Sequence, residues 1–339
     1  MLRGNRMKIL VVGGAGFIGS HLVRTLIDQN HQITVIDGFR FNYRFPPSRW
    51  QHVALAHRAQ NLLRGAQIIR CDLFHRERLK LIVRRFEPDC VVNLACLPLA
   101  NIAQEFDEEA RQSILEGAGA MVEAALCHPG LSRFVHVSSS MVYGDFVRDP
   151  NPEDAPKAPK NTYGRYKLES EQLVRDLVDA AGREHVTVRP SGVYGPTDIN
   201  ERVVQLFCEK ALLGEPLVVN RSETTIDFTW IEDIADGLAL AATHKNAANE
   251  TFNMASGRGR TLGELVDILR SHFPGLKADV RTEADPTIPA RGGLDVSKAA
   301  RLLGYAPRMQ LEAGVEAYLR FLSQHMPSRR MRAPRLAIA

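Results

Sequence analysis

Tyr163 and Lys167 lie four residues apart in Asn161-Thr-Tyr-Gly-Arg-Tyr-Lys167. On a helix that spacing stacks both side chains on one face, a turn apart. A free phenol has a pKa of about 10 and is a poor base near neutrality, but a neighbouring ammonium favours the phenolate. A phenol tuned in this way can take a proton from an alcohol while a hydride leaves the same carbon for an acceptor bound alongside. A seat for such an acceptor lies far upstream, at Gly13-Gly-Ala-Gly16-Phe-Ile-Gly19. This segment satisfies both GxxGxxG (13, 16, 19) and GxGxxG (14, 16, 19), and it leads from a strand-like run straight into a helical pattern. Small residues let the backbone approach a pyrophosphate, and a helix N-terminus supplies unpaired N–H groups and positive potential. The two features together point to nicotinamide redox chemistry on an alcohol or carbonyl.

The surrounding elements must bring these segments together. Short β-branched runs predict strands at 8–12, 32–36, 67–70, 89–93, 133–137 and 185–189. Helical patterns fall at 17–29, 77–86 and 108–127, and a helix carrying Tyr163 runs to about residue 181. Apolar runs without strict alternation suit strands buried on both faces, so the fold class is α/β, a Rossmann-type doubly wound parallel sheet covered by helices. Residues 38–65 form an aromatic, Arg- and Pro-containing insertion with a short helix near 53–63, and residues 149–160 read as a surface loop. Past Pro190 the pattern changes to helices at 202–213, 231–243, 262–271 and 311–324, with short strands at 217–219, 226–229 and 251–253. The expected division is a cofactor-binding domain over 7–190, a smaller, mainly substrate-binding α/β lobe over 191–325, and a disordered basic tail over 326–339.

Composition excludes other classes. The chain has 339 residues, 45% of them hydrophobic and 24% charged, and a formal charge of only +4, part of it in the arginines of the tail. That argues against a nucleic-acid or membrane partner. The 5 cysteines show no CxxC pair and no metal-ligand spacing with histidine, as expected for reduced thiols in a cytoplasmic protein with no metal. The segment before Met7 lacks the apolar core of a signal peptide, and no run approaches the ~18 apolar residues that span a bilayer.

Asp37 closes the second strand, where a carboxylate accepts hydrogen bonds from the adenosine ribose and repels a 2′-phosphate. It favours NAD over NADP, although Arg40 and Arg44 are close enough in sequence to soften that preference. Asp72 reads equally as an adenine contact or as a helix N-cap. Val137-Ser-Ser-Ser-Met-Val-Tyr-Gly144 ends the fifth strand, at the edge where substrates meet such sheets. A serine there can hydrogen-bond the reacting oxygen or simply satisfy loop backbone.

The glycine turn, the serine-rich strand end, Tyr-x-x-x-Lys, Arg189-Pro-Ser-Gly-Val-Tyr-Gly-Pro196, Phe228-Thr-Trp-Ile-Glu-Asp233 and Leu303-Gly-Tyr-Ala-Pro307 together resemble the extended short-chain dehydrogenase/reductases. Within them the chain is similar to the NAD-dependent sugar-nucleotide epimerase/dehydratase family. The resemblance implies Ser139, Tyr163 and Lys167 as the catalytic set, with Lys167 also on the nicotinamide ribose and depressing the tyrosine pKa. It implies Gly13, Gly16, Phe17, Ile18 and Gly19 at the pyrophosphate, and Asp37 and Gly38 at the adenosine ribose. Asp72 and Leu73 fall at the adenine, Leu94 and Ala95 on the nicotinamide side, and Pro190 and Val193 near the carboxamide. Tyr143 and Tyr166 read as packing residues, and the family's homodimer is implied too.

Several departures narrow the chemistry. Dehydratases of the family carry Asp-Glu where this chain has Ser140 and Met141, so elimination of water across C5–C6 lacks its acid/base pair. Gly192 replaces a common asparagine, and Ile226 replaces an arginine that commonly contacts the diphosphate. Ser139, Ser140, Gly192 and Arg291 are the candidate substrate contacts, Arg291 matching a second phosphate-binding arginine or lying simply at the surface. Arg221 is a neighbouring substitute for the missing arginine, and Cys96, where alanine is common, reads as packing. The resulting expectation is an NAD-dependent sugar-nucleotide 4-epimerase working through a 4-keto intermediate. A 4-dehydrogenase or ketoreductase on an activated sugar or other alcohol stands second, and a non-catalytic dinucleotide sensor last.

Overall fold

The structure, a computed structural model, describes residues 6–39, 50–283 and 285–325. Arg40, Arg44 and the expected basic tail lie outside the described residues. Seven parallel strands form the main sheet: β1 (Lys8–Val12), β2 (Gln32–Asp37), β3 (Gln67–Arg70), β4 (Cys90–Asn93), β5 (Arg133–Val137), β6 (Glu184–Pro190) and, from late in the chain, β11 (Glu250–Met254). Short pairs make up the rest: β7 (Val193–Tyr194) with β10 (Thr229–Trp230), β8 (Leu217–Asn220) with β13 (Ala278–Arg281), and β9 (Thr225–Asp227) with β12 (Gly259–Thr261).

The sheet order is β11-β6-β5-β4-β1-β2-β3. The strand order reverses between β1 and β4, β2 and β3 being added on one side of β1 and β4, β5 and β6 on the other, and doubly wound sheets open a crevice at such a switch point. Strand β1 shows why the strands carry unbroken apolar runs. Ile9 and Val11 pack into one core with α1 (Phe17–Asp28) and α9 (Ile231–Thr243). Leu10 and Val12 pack into a second core, with α3 (Arg76–Phe86), α6 (Gly117–Ala125) and α7 (Thr162–Ala180). Each buried aliphatic side chain contributes roughly 1.5–3 kcal/mol, so both faces hold the layer together.

The remaining helices are α2 (Gln51–His57), α4 (Ala100–Glu105), α5 (Asp107–Ala110), α8 (Val203–Leu213), α10 (Leu262–His272), α11 (Ser297–Leu303) and α12 (Leu311–His325). Helix α2 continues into a π-helical turn at Arg58–Leu62, so the insertion carries its helix close to the expected place. The helix expected at 108–127 is present as α5, a π-helical stretch Arg111–Glu116 and α6 in unbroken succession.

Residues 149–160 form the expected loop, exposed or half-buried except at Asn151 and Ala155. It is pinned at Asn151, which is fully buried, bridges Leu294 and donates its N–H to the Gly293 carbonyl at 2.8 Å. One expectation is corrected: the chain after residue 190 is not confined to a lobe. Helix α9 packs against α1 beneath the sheet, and β11 pairs with β6, so the strand expected at 251–253 covers a sheet edge that would otherwise stay open. Helices α8, α10 and α12 with the short strand pairs form the smaller layer.

Candidate active site

A cavity of about 1560 Å³ runs along the carboxyl edge of the sheet, from the glycine turn past Asp37, Leu94, Ser139, Tyr163 and Lys167 to Arg291. Its first wall is the β1–α1 turn. Gly13 has φ +77°, and a Cβ there would stand 2.8 Å from the Ala95 amide nitrogen, so only glycine lets the turn and the end of β4 approach this closely. Helix α1 begins at Phe17 with no side-chain cap and no acidic residue in its first turn. An uncapped N-terminus opening on a cavity suits a pyrophosphate.

Asp37 accepts hydrogen bonds from Ala15 N–H at 2.9 Å and Phe39 N–H at 2.7 Å, which ties the turn to the end of β2. Burial raises its pKa, and those two N–H bonds pull it back. Arg58, only 2% exposed, reaches the same corner from the π-helical turn and donates to the carbonyls of Ala15 at 3.2 Å and Thr197 at 2.6 Å. Nothing in the sequence pattern singled out Arg58, because its partners are 43 and 139 positions away. Asp72 accepts from Phe74 N–H at 3.2 Å and lines the cavity, whereas the N-cap of α3 is His75, so the capping option does not hold. Gly16, Phe17, Ile18, Gly19, Gly38, Leu73, Ala95, Pro190 and Val193 also line the cavity.

Helix α7 starts on a real cap: the Asn161 side chain accepts from Gly164 N–H at 2.9 Å. That places Tyr163 in the first turn and Lys167 in the next, both on the cavity. The buried Lys167 ammonium donates to the Val137 carbonyl at 2.8 Å and lies 5.8 Å from the Tyr163 ring centre. Burial opposes its charge, but Cys96, which hydrogen-bonds it, and Tyr163 more than offset that and raise its pKa. Ser139 accepts from Met141 N–H at 3.2 Å, which satisfies loop backbone, and its hydroxyl faces Tyr163 closely enough to favour the phenolate.

The tyrosine departs from expectation. Burial raises its pKa above the ordinary phenol value, and Lys167, Arg202 and the Ser139 bond only partly counter it. Lys167 acts in the expected direction but does not win in the free protein. Beneath the site, His136 hydrogen-bonds Ser170 at 3.0 Å, and burial, aided by Lys167, lowers its pKa to about 3. It stays neutral and adds no competing charge. Tyr143 and Tyr166 serve structure: Tyr143 donates to Asn253 at 2.7 Å and accepts from Arg189 at 2.9 Å, and Tyr166 donates to Asp107 at 3.0 Å.

On the substrate side one expectation fails. Ser140 does not line the cavity; it is 1% exposed inside a 3-10 turn, and Met141 forms the wall instead. Gly192 does line it, with φ +45°, and a Cβ there would collide with the Asp227 carbonyl, which explains why a side chain is missing at that position. Ile226 presents no charge, and Arg221 is paired with Glu223 at 2.8 Å. Arg291 lines the cavity with a buried, unpartnered Nε, and burial lowers its pKa to about 10 against the opposing charge of Asp227.

A parallel doubly wound sheet, an uncapped helix at its glycine turn, and a Ser/Tyr/Lys set beyond the switch point define the short-chain dehydrogenase/reductase class of dinucleotide enzymes. The chain belongs to the NAD dependent epimerase/dehydratase family, whose model matches residues 9–255. It is 30% identical to a dTDP-glucose 4,6-dehydratase of Actinoplanes sp., covering 91% of this chain and 95% of that protein. Among solved structures it resembles a UDP-glucuronic acid 4-epimerase from Bacillus cereus in complex with UDP-glucuronic acid and NAD, with a TM-score of 0.84, 27% identity, and coverage of 94% of this chain and 99% of that one. A UDP-glucose 4-epimerase from Thermotoga maritima with UDP-glucose gives a TM-score of 0.84 at 26% identity, covering 95% of this chain and 100% of the other.

Proposed function

We propose that the protein is an NAD-dependent nucleotide-sugar 4-epimerase. One observation carries the reading: the Ser139, Tyr163 and Lys167 set is complete, while the wall where dehydratases keep an acid/base pair is Met141 beside an inward-turned Ser140. Such a site moves a proton and a hydride at one carbon but has no group to expel water from the next.

When bound, NAD would supply a reversible hydride acceptor for C4, so that no net oxidation results. The glycine turn and the N-terminus of α1 would hold its pyrophosphate, and Asp37 its adenosine ribose. Tyr163 takes the proton of the 4-hydroxyl, and Lys167 stabilises the phenolate. Ser139 shares the hydrogen bond to the substrate oxygen and keeps it aligned through the 4-ketone stage. After the ketone turns over in the cavity, with hydride restored to the opposite face of C4, Tyr163 returns the proton to the oxygen of the inverted carbon. Arg291 binds the diphosphate, the role left open by Ile226.

The test is turnover on a panel of UDP-, dTDP-, GDP- and CDP-sugars, read by NMR and by absorbance of NADH. The expected result is a C4 epimer without net NADH. Steady NADH release would instead establish a 4-dehydrogenase, and a 4-keto-6-deoxy product would overturn the proposal in favour of dehydration. Tyr163→Phe should keep NAD binding and lose about two or more orders of magnitude in kcat, the usual scale of general acid–base catalysis.

A further inference from the structure

Residues 285–291 line the far end of the cavity and carry into it Arg291, whose buried Nε has no hydrogen-bond partner. Pro286 and Pro289 restrict the backbone of this segment. A turn closes it on itself: Ile288 N–H donates to the Asp285 carbonyl at 3.1 Å, and the Asp285 carboxylate accepts from the Thr287 N–H at 2.8 Å and hydroxyl at 2.6 Å. The segment is thus a stiff strap, and it is tied to one stretch of chain. Ala290 N–H donates to Asp145 at 2.8 Å, and Phe146 N–H donates to the Ala290 carbonyl at 2.8 Å. The side-chain amide of Asn161 donates to the Thr287 carbonyl at 3.1 Å. Asp145 is itself held by Lys160 at 2.5 Å.

The last of these ties has a second end. The same Asn161 side chain caps α7, its oxygen accepting from Gly164 N–H at 2.9 Å. Tyr163 lies between those two residues, in the first turn of the helix. One planar amide therefore holds the strap with its NH2 group and the turn bearing Tyr163 with its oxygen, which fixes the two relative to each other. An aspartate would cap the helix as well as asparagine does, but it has no N–H to give the strap.

We infer that Asn161 is a positioning residue that couples the strap bearing Arg291 to Tyr163, so that an anion seated on Arg291 also sets the phenol for proton transfer. The inference rests on the reading of Arg291 as the diphosphate contact of a nucleotide sugar. Binding energy from a non-reacting part of a substrate raises kcat only when it is passed to the reacting groups in this way. The test is a double-mutant cycle on Asn161→Asp and Arg291→Met, run on the NAD-loaded protein with whichever UDP-, dTDP-, GDP- or CDP-sugar the wild type turns over. Asn161→Asp should keep wild-type helix content and NAD affinity and lower kcat by about 10-fold, the scale of one hydrogen bond. Asn161→Ser, which also caps but is too short to reach the strap, should behave in the same way. Arg291→Met should raise KM and lower kcat by about 10-fold in the wild-type background, yet in Asn161→Asp it should raise KM without lowering kcat further. Additive losses in kcat, or wild-type kcat in Asn161→Asp, overturn the coupling and leave Arg291 a simple anchor. Loss of NAD affinity in both Asn161 variants overturns it as well and assigns the residue to the fold. An unchanged KM in Arg291→Met removes the diphosphate reading, and the coupling with it.

Discussion

At the residue scale, the site depends on the balance of forces at one phenol. Burial disfavours the phenolate of Tyr163, and Lys167 is the largest opposing influence. In the proposed reaction the base is the deprotonated form, so in the free protein kcat/KM should rise with pH along an alkaline limb. Removing the ammonium takes away stabilisation of the anion and must raise the phenol pKa further. Lys167→Met is therefore expected to move the limb to higher pH, in addition to lowering turnover. A limb that stays in place in that variant would show that another group titrates. Cys96 belongs to the same balance, because it favours the charged form of Lys167.

At the scale of elements, the catalytic spacing is useful only because α7 starts at a fixed residue. The Asn161 cap sets the first turn, and the Lys167–Val137 bond ties the helix to the end of β5. The cofactor end depends similarly on a helix that is not part of the sheet's repeating pattern. Through Arg58 the π-helical turn after α2 clamps the Ala15 and Thr197 carbonyls, while Trp50 at the start of that segment meets Phe321 of α12 with ring centres 5.6 Å apart. Arg58→Met keeps the aliphatic packing but leaves two buried carbonyls without their donors. It should cost about 3–6 kcal/mol in urea unfolding and weaken NAD binding, since two hydrogen bonds from a charged group contribute about 1.5–3 kcal/mol each. Unchanged stability together with unchanged NAD affinity would rule out the clamp.

For the whole molecule, burying the sheet on both faces also buries histidines that water would otherwise protonate. Burial holds His136 at about 3 and His21 at about 4, below their ordinary 6.5. The unfolded chain therefore binds protons at these residues before the folded chain does. Their contribution to stability is complete above pH 6.5 and is lost as pH falls from there toward 4 and 3. Urea unfolding should show a decline of up to about 1.4 kcal/mol per pH unit for each histidine across that window. His136→Gln should flatten part of the slope; a slope unchanged in that variant would place the linkage elsewhere.

Sequence alone was enough for whatever depends on near neighbours along the chain. The strand–turn–helix of residues 8–28, the Tyr163/Lys167 face of α7 and the acid ending β2 each follow from residue type and a spacing of a few positions, which sterics and hydrogen bonding convert directly into local geometry. The contest at Tyr163, the turning of Ser140 into its 3-10 turn and the burial of Arg58 did not follow in that way. Each of these depends on desolvation or on charges brought in from distant parts of the chain. Only the assembled layers determine how much water a group keeps and which remote side chains it meets.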